Sequence, residues 1–404
     1  MNNTEKSATA FSFFILWFGA AVSIAEIFAG GLLAPLGFVR GVEAVLLGHL
    51  IGVIILGLTG IIGTEKKISS IFSTRISFGV FGSYGFSILN ILQLLGWTAV
   101  MIIGAARSMN EVSKMLWGFD QQNIWSIVIG LLICLWIVGG IKKLNKVNLI
   151  AVGLLFILTI VLSSIIFKDT SFMNKTAEGG LSFGSAVELS VVMPLSWLPL
   201  ISDYTRYAKS SRGGFWGSVA GYFIGSSWMY IIGLAATIYA GNPDPSIILA
   251  AANMGISALG IVILSTVTTT FLDAYSAGVS LSNISSGFNE KISAIVITLL
   301  GAVIAMTTPI EQYENFLYAI GSVFAPLFAI LLADYYIMKN KNIDENKRID
   351  WLNTVIWAFG IWIYQRFTTM DLIFGSTLPV MLVIACIFII SKGVFKRWTF
   401  LKNV

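Results

Sequence analysis

Twelve apolar segments follow one another along this chain, each long enough to cross a hydrocarbon core of roughly 30 Å. They lie near 11–39, 43–62, 78–108, 123–140, 147–167, 185–208, 213–240, 253–288, 291–308, 310–338, 351–368 and 373–394. A bilayer core holds no water for the backbone, so a spanning segment must close its hydrogen bonds as a helix or within a closed barrel. Barrel strands of about ten residues with alternating polarity are missing from the pattern. The segments at 78–108 and 253–288 exceed what a span needs and must tilt or run past the interface. The expected fold class is therefore an all-α integral membrane protein with twelve transmembrane helices.

Composition excludes the soluble alternatives. Apolar residues make up 56% of the chain and charged residues 11%, against about 25% charged in a soluble domain. The first helix shows no small-residue cleavage site near its end, so no removable signal peptide is expected. Cys134 and Cys386 both sit in apolar segments; they suggest neither a disulfide framework nor a metal site. The net charge of +5 does not point to nucleic acid, because the basic residues lie between apolar segments, where they set topology. With the N-terminus in the cytoplasm, 19 of the 25 lysines and arginines face that side. Arg40, Arg107, Lys114, Lys168, Lys175 and Arg366 face outward. That excess of basic residues inside predicts an even helix count, both termini cytoplasmic, and a multi-pass protein of the cell membrane.

Two segments are interrupted. The run Ser23-Ile24-Ala25-Glu26-Ile27-Phe28-Ala29-Gly30-Gly31-Leu32-Leu33-Ala34-Pro35 contains a lone carboxylate followed by a Gly pair and a Pro. The run Met193-Pro194-Leu195-Ser196-Trp197-Leu198-Pro199 holds two prolines, each removing a backbone donor and clashing with the preceding turn. Helices one to five cover 11–167 and helices six to ten 185–338, lengths of 157 and 154 residues. Each half opens with its interrupted helix. Five is odd, so the second half enters from the opposite side: an inverted 5+5 repeat of the LeuT type, followed by two additional helices at 351–394. The competing expectation is twelve helices without a repeat, in which the prolines only kink.

The residues themselves nominate a site at these interruptions. An intramembrane carboxylate is expensive and by default functional, which singles out Glu26 and, deep in helix eight, Asp273. Either can accept hydrogen bonds from a donor on a bound ligand. Trp97 offers a flat face for a heterocycle, and Gln93 lies four residues before it on the same helical face. Trp197 and Ser196 lie between the two prolines. The helix-eight threonines Thr268, Thr269 and Thr270 supply hard oxygen ligands for a small cation, or simply bond their own backbone. His49, in helix two, is expected to make a helix-to-helix hydrogen bond rather than a proton relay. Asp203 with Arg206, and Asp334, read as gate or packing groups. No Walker, Rossmann, metal-protease or hydrolase-triad pattern occurs, so an enzyme is not expected.

Several runs carry a resemblance: Ile201-Ser202-Asp203-Tyr204-Thr205-Arg206-Tyr207-Ala208-Lys209, Ala325-Pro326 through Asp334-Tyr335-Tyr336, and Gly96-Trp97. These resemble the nucleobase:cation symporter-1 family over about residues 10–390. Ala25-Glu26-Ile27, Leu33-Ala34-Pro35-Leu36-Gly37 and Asp273-Ala274-Tyr275-Ser276-Ala277-Gly278 are most similar to its small CytX-type branch of hydroxymethylpyrimidine permeases. The resemblance implies that Trp97 stacks on the substrate ring and that Trp197 sandwiches it from the other side. It also implies that the backbone carbonyls of Val22 and Ala25, with a hydroxyl pair among Thr268, Thr269 and Thr270, hold a sodium ion. Asp273 stands where the family has a substrate-binding amide. Met101 stands where the family's hydantoin transporter has a Gln, a departure that makes Gln93 a candidate.

The expected function is secondary active import of a small pyrimidine, hydroxymethylpyrimidine first, with cytosine or another nucleobase as the alternative. Sodium is the expected coupling ion, a proton the alternative. No cofactor, nucleic acid or obligatory protein partner is expected; the partners are the substrate and the lipid bilayer. Helices one, two, six and seven would rock against three, four, eight and nine. A membrane sensor binding the same ligand without transport is the reading from a different class, and a channel is another.

Overall fold

In the computed structural model, residues 8–139, 141–168, 170–175, 179–241, 255–309 and 312–402 are described, by backbone alone at 141–149, 151, 255–262, 264, 265, 268 and 394–402. The helices are α1 (Ala10–Ala21), α2 (Ile24–Gly31), α3 (Phe38–Lys66), the short α4 (Ser70–Ser73), α5 (Arg75–Trp117), α6 (Gln122–Gly139), α7 (Ile141–Ile166) and α8 (Phe183–Leu195). They continue as α9 (Leu198–Thr205), α10 (Ser211–Ala240), α11 (Gly255–Ile284), α12 (Glu290–Thr307), α13 (Tyr313–Leu332), α14 (Trp351–Phe367) and α15 (Thr377–Lys402). Among the described residues there is no strand; a single isolated bridge pairs Ala8 with Ala208. Among the described residues, seven spans are long and apolar enough to cross a membrane singly, and α1 with α2 forms an eighth as a bent pair.

The first interruption differs in place from the sequence expectation. It lies at Val22–Ser23, before Glu26, not at the Gly pair beyond it. Val22 leaves helical geometry (φ −78°, ψ 82°) and Ser23 is extended (φ −142°, ψ 160°), which bends α2 by 59° from α1. A serine suffices without proline, because its hydroxyl accepts the Glu26 N–H and starts the new helix. Gly30 and Gly31 stay helical; Gly30 instead lets the Tyr230 backbone of α10 approach closely. The Pro35 signal is spent on a short 3-10 turn, Ala34–Leu36.

The second interruption, at Ser196–Trp197, is gentler. Both residues keep right-handed helical angles, and α8 with α9 reads as one apolar span, Phe183–Thr205. Pro194 closes α8, and Pro199 sits in the first turn of α9, where a missing N–H costs nothing.

The helices sort into two packing groups. α10 packs on α1, α2 and α3, and α3 packs on α8 and α9. Separately, α5, α6, α11 and α12 pack on one another. Between apolar helices in lipid, association depends on close backbone approach. Gly217, Gly221 and Gly225 provide it by facing the backbone of Ala10, Phe14 and Phe18 on α1.

The gate residues are placed as follows. Asp203 Oδ1 accepts the Ser70 N–H at 3.1 Å, while Arg206 donates to the backbone carbonyl of Asp203, not to its carboxylate. Asp334 Oδ2 accepts from Ser77 Oγ and Asn340 Nδ2, so it pins the end of the α13 region to the start of α5.

Candidate substrate and cation site

Glu26 sits in the first turn of α2 and is buried. The hydroxyl of Tyr222 donates to its Oε1 at 2.7 Å, and Ser226 Oγ lies 2.6 Å from its Oε2. Tyr222 and Ser226 are four residues apart and share one face of α10. Tyr222 also accepts the indole N–H of Trp197 at 2.8 Å, and His49 Nε2 lies 2.5 Å from Ser226 Oγ. One polar chain thus runs Trp197, Tyr222, Glu26, Ser226, His49, joining both interrupted helices to α10 and α3. The expected helix-to-helix bond of His49 is present, and it ends on the Glu26 cluster.

Gln93 and Trp97 project from one face of α5. Gln93 Nε2 donates to the backbone carbonyl of Ser196 at 2.7 Å, anchoring α5 to the second interruption. Its Oε1 is buried without a partner. The Ser196 hydroxyl turns back to the Met193 carbonyl at 2.6 Å, so this residue presents its backbone to the neighbouring helix. Trp97 packs edge-on against Tyr313 and Phe316, with ring centres 5.9 and 5.4 Å apart. Gly96 leaves room for Phe316 against α5. Trp197 meets Trp17 edge-on at 5.4 Å. The structure brings Glu26, Trp197 and, through Ser196, Gln93 and its neighbour Trp97 to one region.

The cation candidates lie at the break between α1 and α2, at Val22 and Ala25, and on α11, which touches α1. Val22 is the residue at which α1 ends. The Ala25 carbonyl accepts the Tyr313 hydroxyl at 3.3 Å. Thr269 and Thr270 are buried, and Thr270 donates to the Thr266 carbonyl, which leaves its oxygen lone pairs able to face a cation. The side chain of Thr268 lies outside the described residues. Asp273 is buried on α11, one turn beyond Thr269.

Tyr222, Ser226 and Tyr313 were not singled out from sequence. Their signal was present but weak: Tyr222, Ser226 and Tyr230 recur every four residues along α10, a polar stripe on one helical face. Which face is buried, and against what, depends on the packing of α2.

A family model for permeases of cytosine/purines, uracil, thiamine and allantoin matches residues 1–350. The chain belongs to this family. The cytosine permease of Escherichia coli (strain K12) is 26% identical over 372 residues, covering 89% of this chain and 86% of the relative. Mhp1, a nucleobase-cation-symport-1 family transporter solved in a closed conformation with bromovinylhydantoin bound, superposes with a TM-score of 0.79. It is 21% identical, covering 95% of this chain and 94% of Mhp1. A substrate-bound, outward-open Na+-coupled sialic acid symporter has a TM-score of 0.69 at 14% identity, covering 96% and 90%. This nucleobase:cation symporter-1 member is therefore a multi-pass membrane transporter with an all-helical LeuT-type fold, and not an enzyme.

Trp97→Ala is expected to weaken substrate binding by about 1–3 kcal/mol, taking base–aromatic stacking as the scale, while leaving the detergent-solubilised protein monodisperse. Calorimetry of ligand binding by the purified variant checks this, and wild-type affinity would remove Trp97 from the site.

Proposed function

We propose that this transporter imports a small aminopyrimidine by sodium symport, with hydroxymethylpyrimidine as the preferred substrate. The observation that carries the proposal is Gln93 Oε1, a buried acceptor without a partner, on the same helical face as Trp97 and anchored at the second interruption. A planar ligand with a ring or exocyclic N–H would satisfy that acceptor while stacking on the indole. Glu26 and Asp273 add acceptors for a second donor edge. Cytosine is the second reading; the E. coli relative is a cytosine permease, and cytosine presents the same amino donor.

In this reading the cation sits between the end of α1 and α11, held by the Val22 and Ala25 carbonyls and by hydroxyls among Thr268, Thr269 and Thr270. Cation and substrate raise each other's affinity by favouring one conformational state. The two packing groups would be the bodies that move against each other. The inverted repeat of 11–167 and 185–338, the twelve-span count, and both termini in the cytoplasm belong to the same proposal.

Uptake of labelled hydroxymethylpyrimidine and cytosine into proteoliposomes tests it. The expected result is saturable uptake that stops when sodium is replaced by choline. Uptake that survives in choline but collapses with a protonophore would reassign the coupling ion. Binding without uptake would favour the sensor reading.

A further inference from the structure

Ser83, Ser87 and Asn90 of α5 meet Ser280 and Asn283 of α11 in a buried polar seam. The two helices run antiparallel there. Asn283 Nδ2 donates to Ser87 Oγ at 2.9 Å, and about one turn further along α5, Asn90 Nδ2 donates to Ser280 Oγ at 2.8 Å. Each step of three residues up α5 is thus matched by a step of three down α11. Continued in the same register, Asp273 of α11 comes level with Trp97 of α5. The seam therefore starts at the ring platform of the candidate site and leads away from it. In the orientation proposed above, α5 begins at the cytoplasmic face, so the seam leads toward the cytoplasm.

Two layers of this seam use their polar groups differently. The lower layer is matched. Arg75 Nη2 donates to the Oδ1 and the backbone carbonyl of Asn283 at 2.9 and 3.0 Å, and Arg75 Nε donates to Ser83 Oγ at 3.3 Å. Its Nη1 pairs with Glu345, and the guanidinium lies over the Phe72 ring. Asn283 Nδ2 is taken by Ser83 and Ser87. The layer above is not matched. Asn90 Oδ1 and Gln93 Oε1 are both buried without a partner, and they stand three residues apart on α5, as neighbours on the helix surface. Turning the Asn90 amide over would only exchange which of its ends is left unpaired. Buried polar atoms are almost always hydrogen-bonded, so two adjacent orphan acceptors fit a ligand that brings donors.

We propose that Asn90, together with Gln93, is a second station for the same donor-bearing heterocycle, about 10 Å along α5 from the Trp97 platform, and that it takes the ring as it leaves for the cytoplasm. Gln93 serves both stations. The donor edge of the ring passes from Gln93 Oε1 to Asn90 Oδ1, so its N–H groups stay paired on the way. Ser280 is a positioning residue that holds one end of the Asn90 amide and aims the other. Arg75 and Asn283 close the cytoplasmic end. Tyr204 of α9 donates to the Leu272 carbonyl of α11 at 3.3 Å, a contact between the two packing groups that parts when they move and frees this side of the seam. The station rests on the substrate reading of Trp97 and Gln93.

The test is uptake of labelled hydroxymethylpyrimidine and cytosine into proteoliposomes by the full-length protein, as wild type, Asn90→Leu and Ser280→Ala. Asn90→Leu keeps the side-chain size and removes the acceptor. It is expected to lower the maximal uptake rate roughly tenfold, the effect of one lost hydrogen bond in transit, with KM changed far less. Ser280→Ala breaks the same interhelical bond but keeps the Asn90 oxygen, and it is expected to lower the rate by less than about threefold. Asn90→Ala, which the packing accommodates more easily, takes the place of Asn90→Leu if that variant does not fold. An unchanged rate in the Asn90 variant overturns the station. So does an equal loss in Ser280→Ala, which would make Asn90 a clip between α5 and α11, and so does a loss confined to KM, which would put Asn90 in the central site. Wild type that takes up neither ligand overturns the substrate reading and the station together, whereas wild-type uptake with any of the other three results overturns the station alone.

Discussion

Glu26→Gln should weaken aminopyrimidine binding roughly 10- to 100-fold, because hydrogen bonds to charged groups contribute about 1.5–3 kcal/mol. It should also narrow the preference for amino over oxo ligands. An ionised carboxyl only accepts, so it pairs with a 4-amino edge and opposes a carbonyl edge. A site left with unpaired buried acceptors rejects an analogue strongly. The substitution introduces a donor that tolerates the carbonyl edge. It also puts an N–H₂ where one of the two contacts from Tyr222 and Ser226 now lands. Since Tyr222 holds the Trp197 indole, the loss reaches the aromatic wall as well. Asp273→Asn is the matched variant. The measurement is the affinity ratio of amino to oxo pyrimidine in both variants by calorimetry. If neither ratio changes, the carboxylates serve structure or ion coupling and do not select the substrate.

Glu188→Ala should cost stability on a scale that threatens folding. Glu188, buried on α8, collects four donors: the N–H groups of Ser376 and Thr377, the Thr377 hydroxyl and the Tyr364 hydroxyl. Two of those are backbone groups at the start of α15, where a helix leaves its N–H groups unpaired and favours an anion. Gly375, with φ of 70°, lets the turn approach the carboxylate; a Cβ there would meet Glu188 Oε2 at 2.6 Å. Each buried donor left unmatched costs about 1–3 kcal/mol, so a loss of at least ~3 kcal/mol is expected. Thermal melting in detergent reads it, alongside Glu188→Gln, which retains one acceptor oxygen and should fall between. Melting at the wild-type temperature in Glu188→Ala would show that water replaces the carboxylate and that α15 is not held through it.

This anchor was invisible in the sequence. Glu188 was a carboxylate at the start of the sixth segment, and nothing local marks Ser376 and Thr377, almost two hundred residues later, as its partners. The same holds for Tyr222 and Ser226. A polar residue inside an apolar helix announces that it needs a partner, but helical periodicity does not say which helix supplies it.

What could be read from the residues was whatever obeys local rules. Segment length against bilayer thickness set the helices, the lysine and arginine bias set the expected orientation, and prolines marked the neighbourhood of the second break. Glu26, Trp97 and Gln93 stood out because each is costly or bulky at that depth. The position of the first break followed a different determinant. The Gly pair and Pro35 seemed to mark it, yet Val22–Ser23 breaks instead, since α10 packs on both α1 and α2 and the Ser23 hydroxyl suffices to restart the helix. The destination of each buried donor and acceptor, including the chain from Trp197 through Glu26 to His49, was set only when α2, α3 and α10 closed around them. A buried polar group must find its partner in three dimensions, and no periodicity along the chain encodes that distance.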